Sequence, residues 1–341
     1  MFDGQHGEMG PWNFNKKPIT KSYENSQNYI AFYFHWQTIG SIRPEDFHKF
    51  VQPFMPTLTP APDGRPRKPA FLLPPGAIDS HFHAFGPPEK YPFHPQSKYT
   101  SERSSIDEYF HLQTALGLSR GVFVSGGGYG PDFRYLADTL RIHSDRLRGV
   151  ALLPENVSTA DLKQLDSTGV RGARFASPAH GGVMPVFSKK VARLVADFNW
   201  HIQYYPHASD FIDMIPKLMD LPNIIVLDHF ASIPAAGGVG QPAFKMLLKM
   251  LDTGRVWVKL SGPMRCTEKE PPYRDLTPIA RALVAHAPDR LVWGSDWPHV
   301  NMNGRTMPND GDLLDELADW IPDENQRNKV LVENPSRLYG F

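Results

Sequence analysis

From residue 77 to the end of the chain, short apolar runs alternate with longer stretches whose apolar residues recur every three or four positions. The short runs have the length of buried strands, and the longer stretches have the period of amphipathic helices. Strands are predicted at 77–83, 120–125, 147–153, 170–175, 201–205, 223–229, 256–261 and 290–296. Helices are predicted at 105–116, 131–144, from 158, 186–198, 209–221, 242–251, 277–286, 312–320 and 324–332.

Strict alternation of strands and helices favours parallel strands joined by helical crossovers. Eight such units are the number at which a barrel closes. An open doubly wound sheet is the competing arrangement, but the glycines at 126–128 and 130 are only a weak version of its phosphate-binding turn. We therefore predict an α/β protein with a (β/α)8 TIM barrel.

Residues 1–75 differ from the barrel region, since they mix Asn, Gln, Pro and aromatic residues without a long periodic run. Prolines crowd the end of this segment and prevent a helix there. The aromatic residues at 29–36 argue against full disorder. The chain is thus predicted to consist of an extended N-terminal arm, 1–75, and a barrel, 76–341. We expect the arm to wrap the barrel or a neighbouring subunit, which makes a homodimer possible.

Charge and composition exclude several classes of partner. The chain of 341 residues has 36 Lys and Arg against 36 Asp and Glu, and no basic run typical of nucleic-acid binding. No stretch approaches the ~20 apolar residues of a membrane span, and the N-terminus lacks a secretion signal. Cys266 is the single cysteine, so an intrachain disulfide is excluded. We expect a cytoplasmic protein that acts on a small molecule.

Polar side chains of metal-ligand type follow three of the predicted strands. His81 and His83 end the first strand and share one face, because side chains alternate along a strand. His229 ends the sixth strand and Asp296 the eighth. Barrel enzymes carry their sites at the carboxyl ends of the strands, so these four residues are predicted to converge. Histidines elsewhere, including His180, are predicted to be solvated or structural.

Four motifs make the chain resemble the amidohydrolase superfamily, of the amidohydrolase-2 type. They are IDSHFH at 78–83, DH at 228–229, WGSDWPH at 293–299 and VENPSRLY at 332–339. Within the superfamily, the resemblance is to the group of 2-pyrone-4,6-dicarboxylate lactonases and sulfomuconolactone hydrolases. It covers residues 76–341 and leaves the N-terminal arm outside.

The resemblance implies that Asp296, His229, His81 and His83 are catalytic. Where superfamily members bind a divalent metal, zinc first among them, the matching ligands here are His81, His83 and Asp296. The fifth strand often supplies a further histidine, but this chain has tyrosines at 204–205 there, as some metal-independent lactonases do. His207 follows closely, so both a metal-dependent and a metal-independent mechanism stay open.

The resemblance also implies an anionic substrate. Arg174 and Arg265 match arginines that hold substrate carboxylates, and a carboxylate or sulfonate suits their planar guanidinium groups. The remaining candidates for the pocket wall are Tyr205, Tyr99, Ser125 and His299. The group carries an arginine shortly after the sixth-strand histidine, whereas this chain has the sequence FASI at 230–233. A substrate with fewer charges or a larger apolar group is therefore expected.

These observations favour a hydrolase that opens a lactone ring, carboxylated pyrone or muconolactone-like, in the catabolism of aromatic compounds. Asp296 would take a proton from water, with or without a metal, and return it to the leaving oxygen. That dual role predicts a pKa raised toward neutrality. Two alternatives are a metal-dependent decarboxylase of an aromatic or related unsaturated carboxylic acid, and a barrel that binds a ligand without turning it over.

Overall fold

The structure is a computed structural model that describes residues 57–180, 182–302 and 304–341. Within these stretches, eight strands form one parallel sheet in which neighbours follow chain order. They are β2 (Ile78–Phe82), β4 (Arg120–Val124), β5 (Leu147–Leu152), β6 (Val170–Ala176), β7 (His201–Tyr205), β8 (Ile225–Leu227), β9 (Val256–Ser261) and β10 (Leu291–Gly294). Two short strands, β1 (Thr57–Thr59) and β3 (Tyr99–Ser101), form a separate parallel pair.

The first and last strands of the sheet meet and close it into a barrel. Phe82 forms a parallel bridge with Trp297, and the amide of Asp296 donates to the carbonyl of His81 at 2.8 Å. Below this bridge, the buried Asp79 carboxylate accepts from the amide and the hydroxyl of Ser295, at 3.0 and 2.7 Å. The predicted (β/α)8 barrel is confirmed.

Helices separate the strands, as the apolar periodicity predicts. Ser105 and Ser158 cap the first and third helices, and each forms a reciprocal capping box with the acidic residue three positions later. The helices are α1 (Ile106–Leu116), α2 (Arg134–Ile142), α3 (Thr159–Ser167), α4 (Lys189–Ala196), α5 (Phe211–Met219), α6 (Pro242–Asp252), α7 (Thr277–His286), α8 (Asp310–Trp320), α9 (Glu324–Asn328) and α10 (Asn334–Tyr339).

The two ends of the barrel differ in polarity. At the amino ends of the strands, Tyr339 of α10 is fully buried and packs with Ile78, Val122 and Val150. This apolar plug closes the bottom of the barrel. The buried polar residues that follow the strands, among them His81, His83 and Asp296, lie at the opposite end, where a polar site can open.

Most of the predicted N-terminal arm, including the aromatic residues at 29–36, lies outside the described residues. The part that is described begins with β1, whose three residues pair in register with those of β3. The boundary at residue 75 stays a prediction. Among the described residues, no helix combines the length and apolar character that crossing a membrane requires.

Candidate active site

Four side chains converge at the carboxyl ends of the strands. Asp296 Oδ1 lies 3.8 Å from His81 Nε2 and 3.7 Å from the Nε2 atoms of both His83 and His229. His81 Nε2 and His83 Nε2 are 3.4 Å apart. All four residues are at least 97% buried. The structure thus brings together the four residues that the sequence places at strand ends.

Each of the three imidazoles faces Asp296 with Nε2 and is oriented by a contact at Nδ1. His83 Nδ1 lies 2.8 Å from the carbonyl of Val124, which can only accept, so the proton is on Nδ1. His81 Nδ1 faces the Asp228 carboxylate at 3.3 Å, and His229 Nδ1 lies 3.0 Å from the Ser261 hydroxyl. Burial lowers the pKa of all three imidazoles, that of His83 to about 4. Neutral rings held by an acceptor at Nδ1, as those of His81 and His83 are, turn the lone pair of Nε2 toward Asp296, whereas the Ser261 hydroxyl can donate to or accept from His229 Nδ1.

The Asp296 carboxylate is also tied to Arg265, whose Nε and Nη2 donate to Oδ2 at 3.2 and 3.1 Å. Burial acts to raise the pKa of Asp296, but the cationic groups that face it outweigh burial and hold that pKa below the ordinary aspartate value; while the imidazoles are neutral, that cation is the Arg265 guanidinium. The expectation of a raised pKa is therefore wrong. Asp296 is a carboxylate throughout the neutral range.

A buried charged layer lies beneath this cluster. Asp228 Oδ2 accepts from Arg174 Nε at 3.0 Å and from Gln203 Nε2 at 3.1 Å. Lys259 Nζ donates to Gln203 Oε1 at 2.8 Å and to the carbonyl of Ser80 at 2.9 Å. Burial lowers the pKa of Lys259 to about 7. One carboxylate, Asp228, therefore orients both an imidazole of the cluster and the arginine beside it.

Left-handed backbone conformations orient two residues of the cluster, His229 and Asp296. His229 begins a left-handed turn in which residues 229–232 all have φ between 49° and 56°, and Asp296 has φ 64°. Such angles are unfavourable for residues with a Cβ and are found where structure around them enforces a function. Gly262 makes this approach possible, because a Cβ there would lie 2.7 Å from His229 Nδ1.

A pocket of about 660 Å³ opens above the cluster. Its wall includes seven of the predicted site residues: His83, Tyr99, Arg174, Tyr205, His229, Arg265 and Asp296. The Tyr99 hydroxyl accepts from the amide of Gly128 at 3.0 Å. Arg174 lies over the Tyr205 ring, 5.5 Å from its centre.

Two predicted wall residues do not reach the pocket. His299 is fully buried, with Nε2 3.1 Å from Asp310 Oδ1, because its own left-handed backbone (φ 58°) turns it away from the cavity. Ser125 contributes its carbonyl, which lies 3.4 Å from Arg174 Nη1, rather than a side chain in the wall. Their roles as substrate contacts stay predictions.

Three polar wall residues were not expected. Lys98, His180 and Asn301 line the pocket, although all come from loops without periodic sequence. His180 stacks on Tyr205 with ring centres 3.8 Å apart, and its Nε2 lies 2.9 Å from the carbonyl of Pro206. Because that carbonyl can only accept a hydrogen bond, the ring proton is on Nε2, and Nδ1 of His180 is left as an acceptor.

The structure also shows where His207 and Phe230 lie, two positions near the predicted site. His207 Nδ1 lies 2.7 Å from the Ser209 hydroxyl, and the residue is absent from the wall of this pocket. Phe230 begins the FASI sequence that stands in the region where the resemblance leads one to expect an arginine, and it is fully buried against Trp320. It therefore adds no apolar surface to the pocket.

The converging donors fit a divalent metal ion. With metal–ligand distances of about 2.0–2.1 Å, tetrahedral ligands stand about 3.4 Å from one another. His81, His83 and Asp296 each offer one atom, all within 4.8 Å of one another. An imidazole lone pair that points at the carboxylate oxygen of Asp296 repels it unless a cation or a proton lies between the two atoms. Burial disfavours protonated imidazoles, so a cation suits this position.

Comparisons with known proteins agree on one family. The amidohydrolase family model matches residues 78–341. The 4-sulfomuconolactone hydrolase of Hydrogenophaga intermedia is 38% identical, over 79% of this chain and 90% of its own length. The 2-pyrone-4,6-dicarboxylate hydrolase of Comamonas testosteroni is 36% identical, over 80% and 93%. The apo structure of an Agrobacterium tumefaciens protein superposes with a TM-score of 0.72 at 26% identity, covering 80% of this chain and 98% of that one.

Proposed function

Because this chain belongs to the amidohydrolase family, we propose that its barrel hydrolyses an anionic lactone, a carboxylated pyrone or a muconolactone-like ring from the catabolism of aromatic compounds. The observation that carries the proposal is the pairing of one ionised, buried carboxylate with cations in the same pocket. Asp296 faces the cavity between Arg174 and Arg265, with Lys98 at the edge.

The cations supply the means to hold an anionic substrate. Arg174 Nε donates a hydrogen bond to Asp228, and Arg265 Nη2 donates to Asp296 and to the Val300 carbonyl. Donor positions are left over on both guanidinium groups, since each has five N–H bonds. A carboxylate or sulfonate accepting from them would place the ring between the arginines and the histidine cluster. Tyr205 would support one face of that ring.

Ring opening requires a proton acceptor for water, a polarised carbonyl and a proton for the leaving oxygen. Asp296 Oδ1 is the acceptor, because Asp296 is ionised and lines the pocket, and the proton that it takes from water is returned to the leaving alkoxide. Arg265 keeps Oδ2 occupied, so Oδ1 alone faces the reacting atoms. Ring opening gives a single product, in which the leaving oxygen has become a hydroxyl group and the carbonyl carbon a carboxylic acid that ionises at neutral pH.

His81, His83 and Asp296 would hold a divalent ion, which we infer to be zinc from the nitrogen-rich donor set. When bound, zinc supplies Lewis acidity that lowers the pKa of a water molecule from about 16 to about 7. The chain's own part is to keep the imidazoles neutral and oriented. His83 does so through Val124, and His81 through Asp228.

The alternative of a decarboxylase gains no support from the named relatives, which are lactone hydrolases. A barrel that only binds its ligand is also disfavoured, because the complete histidine–aspartate cluster has no role in simple anion binding.

The proposal predicts selective hydrolysis of charged lactones. We expect the protein to hydrolyse 2-pyrone-4,6-dicarboxylate or 4-sulfomuconolactone with kcat/KM at least about 100-fold above that for uncharged δ-valerolactone, since charge-assisted hydrogen bonds contribute about 1.5–3 kcal/mol each. Alkali uptake at constant pH measures the acid released, and carbon dioxide is measured in parallel. Equal rates on δ-valerolactone, or carbon dioxide as the product, would contradict the proposal.

The metal assignment predicts about one zinc ion per chain in the purified protein, measured by elemental analysis. Chelation should lower both activity and the melting temperature, because a ligand that binds only the folded state stabilises it. Zinc added back should restore both. Full activity and an unchanged melting temperature in the metal-free protein would place the carbonyl-polarising role on the histidines alone.

A further inference from the structure

Residues 57–70, here called the strap, precede the region that the amidohydrolase family model matches. Their first element, β1, pairs in parallel with β3, with Thr57 opposite Tyr99 and Thr59 opposite Ser101. The amide of Thr57 donates to the carbonyl of Lys98 at 2.8 Å. Lys98 and Tyr99 belong to the pocket wall, so β1 fixes one side of the cavity.

The same strand also holds the opposite wall. Thr59 is 2% exposed, and its hydroxyl oxygen accepts from the amide of Asn301 at 3.3 Å. Asn301 and its neighbour Val300 line the pocket. The carbonyl of Val300 accepts from Arg265 Nη2 at 2.7 Å, so this loop helps to orient the arginine that holds Asp296.

The other end of the strap is anchored on α8. The amide and Nε of Arg67 donate to Asn309 Oδ1 at 2.9 Å and to Asp312 Oδ1 at 2.7 Å. The amide of Ala70 donates to Asp315 Oδ1 at 2.6 Å. At Gly311, a Cβ would lie 2.0 Å from the carbonyl oxygen of Arg67. Only glycine permits so close an approach, and the strap is therefore seated on the helix by backbone contact.

We propose that the strap is a specificity-determining part of the substrate site. By joining the Lys98 loop to the Asn301 loop, it sets the width of the pocket and the position of two cationic groups, those of Lys98 and Arg265. Its own side chains touch no reacting atom, so its effect falls on substrate affinity rather than on the chemical step. The identity of the ligand rests on the proposed lactonase function, while the coupling of strap to wall does not.

The isosteric change Thr59→Val tests this directly, because it removes the acceptor for the Asn301 amide and leaves strand propensity and volume intact. We expect KM for the charged lactone to rise about 5–10-fold, as for loss of one net hydrogen bond, with kcat within twofold. Thr57→Val is the matched control, since Thr57 is exposed and pairs through its backbone. That control should keep the KM of the unaltered protein. Hydrogen exchange at the Asn301 amide should quicken only in Thr59→Val.

Gly311→Ala tests the other anchor, because the added methyl group must displace the Arg67 backbone. A KM increase like that of Thr59→Val is expected, with Lys68→Ala as the exposed control on the strap.

Unchanged KM and unchanged Asn301 exchange in Thr59→Val would overturn the proposal. Should no lactone be hydrolysed, the lactonase function fails, and isophthalate binding by titration calorimetry then decides. Weaker binding in Thr59→Val supports the strap, while equal binding, or none to the unaltered protein, overturns it.

Discussion

Replacing Asp296 by asparagine is expected to lower kcat by about 1,000-fold, within the range for loss of a general base. Asparagine keeps the shape of the side chain, and its carbonyl oxygen can still accept from Arg265. What it loses is the proton-accepting oxygen that faces His81, His83 and His229 at 3.7–3.8 Å. Initial rates of lactone opening at saturating substrate measure the effect.

Substrate binding should survive the same change. Asp296→Asn removes a negative charge from beside Arg265, so the affinity for an anionic ligand should be equal or higher. Titration with isophthalate or the reaction product separates this outcome from unfolding. Asp252→Asn, at an exposed carboxylate paired with His286, is the matched control and should keep full activity. An Asp296→Asn protein with more than about a tenth of the original kcat would remove Asp296 from the mechanism.

The second large effect is expected at Asp228, which neutralises the buried layer under the site. Asp228→Asn leaves the Arg174 guanidinium, 3% exposed, without its carboxylate. Breaking a buried ion pair from one side costs about 3–5 kcal/mol, because a charge remains desolvated without compensation. Urea unfolding should show a loss of that size in the free energy of unfolding.

Removing the stranded cation should recover much of this loss. In the double variant Asp228→Asn/Arg174→Met, no unpaired guanidinium remains, so at least half of the lost free energy of unfolding should return. Asp220→Asn is the control, since its ion pair with Lys189 is exposed and should contribute no more than about 1 kcal/mol. Additive losses in the double variant would mean that Asp228 stabilises the barrel through contacts other than Arg174.

The barrel was predictable because parallel strands buried on both faces leave near-continuous apolar runs in the sequence. Polar residues that end such runs stand out, which is why His81, His83, His229 and Asp296 were identified correctly as neighbours. The sixth strand is shorter than predicted, Ile225–Leu227 against 223–229, because the chain enters the left-handed turn at His229. Periodicity carries no signal for that turn.

Side-chain direction within the barrel was harder to predict. Lys259 interrupts an apolar strand, and alternation alone does not say which face it takes. The Lys259 side chain points inward because its partners, Gln203 and Asp228, lie inside the barrel. The register of the sheet places these partners at the same height as Lys259, and the sequence does not give that register. Lys98 and His180 reach the pocket from loops, where only tertiary structure brings them to Tyr205 and Arg174. His299 shows the same limit, because proximity in sequence to Asp296 does not determine direction across a left-handed turn, and its Nε2 lies 3.1 Å from Asp310 Oδ1.

The closure of the barrel also limits when the protein can act. The histidine pair follows the first strand and the carboxylate follows the last, and the contact of Asp79 with Ser295 that joins these strands spans 216 positions. A chain growing on the ribosome carries both histidines long before the segment that ends in Asp296 is made. Unfinished or C-terminally clipped chains therefore hold half of the cluster at an open sheet edge. Hydrolytic activity therefore requires that synthesis has passed the segment that supplies Asp296.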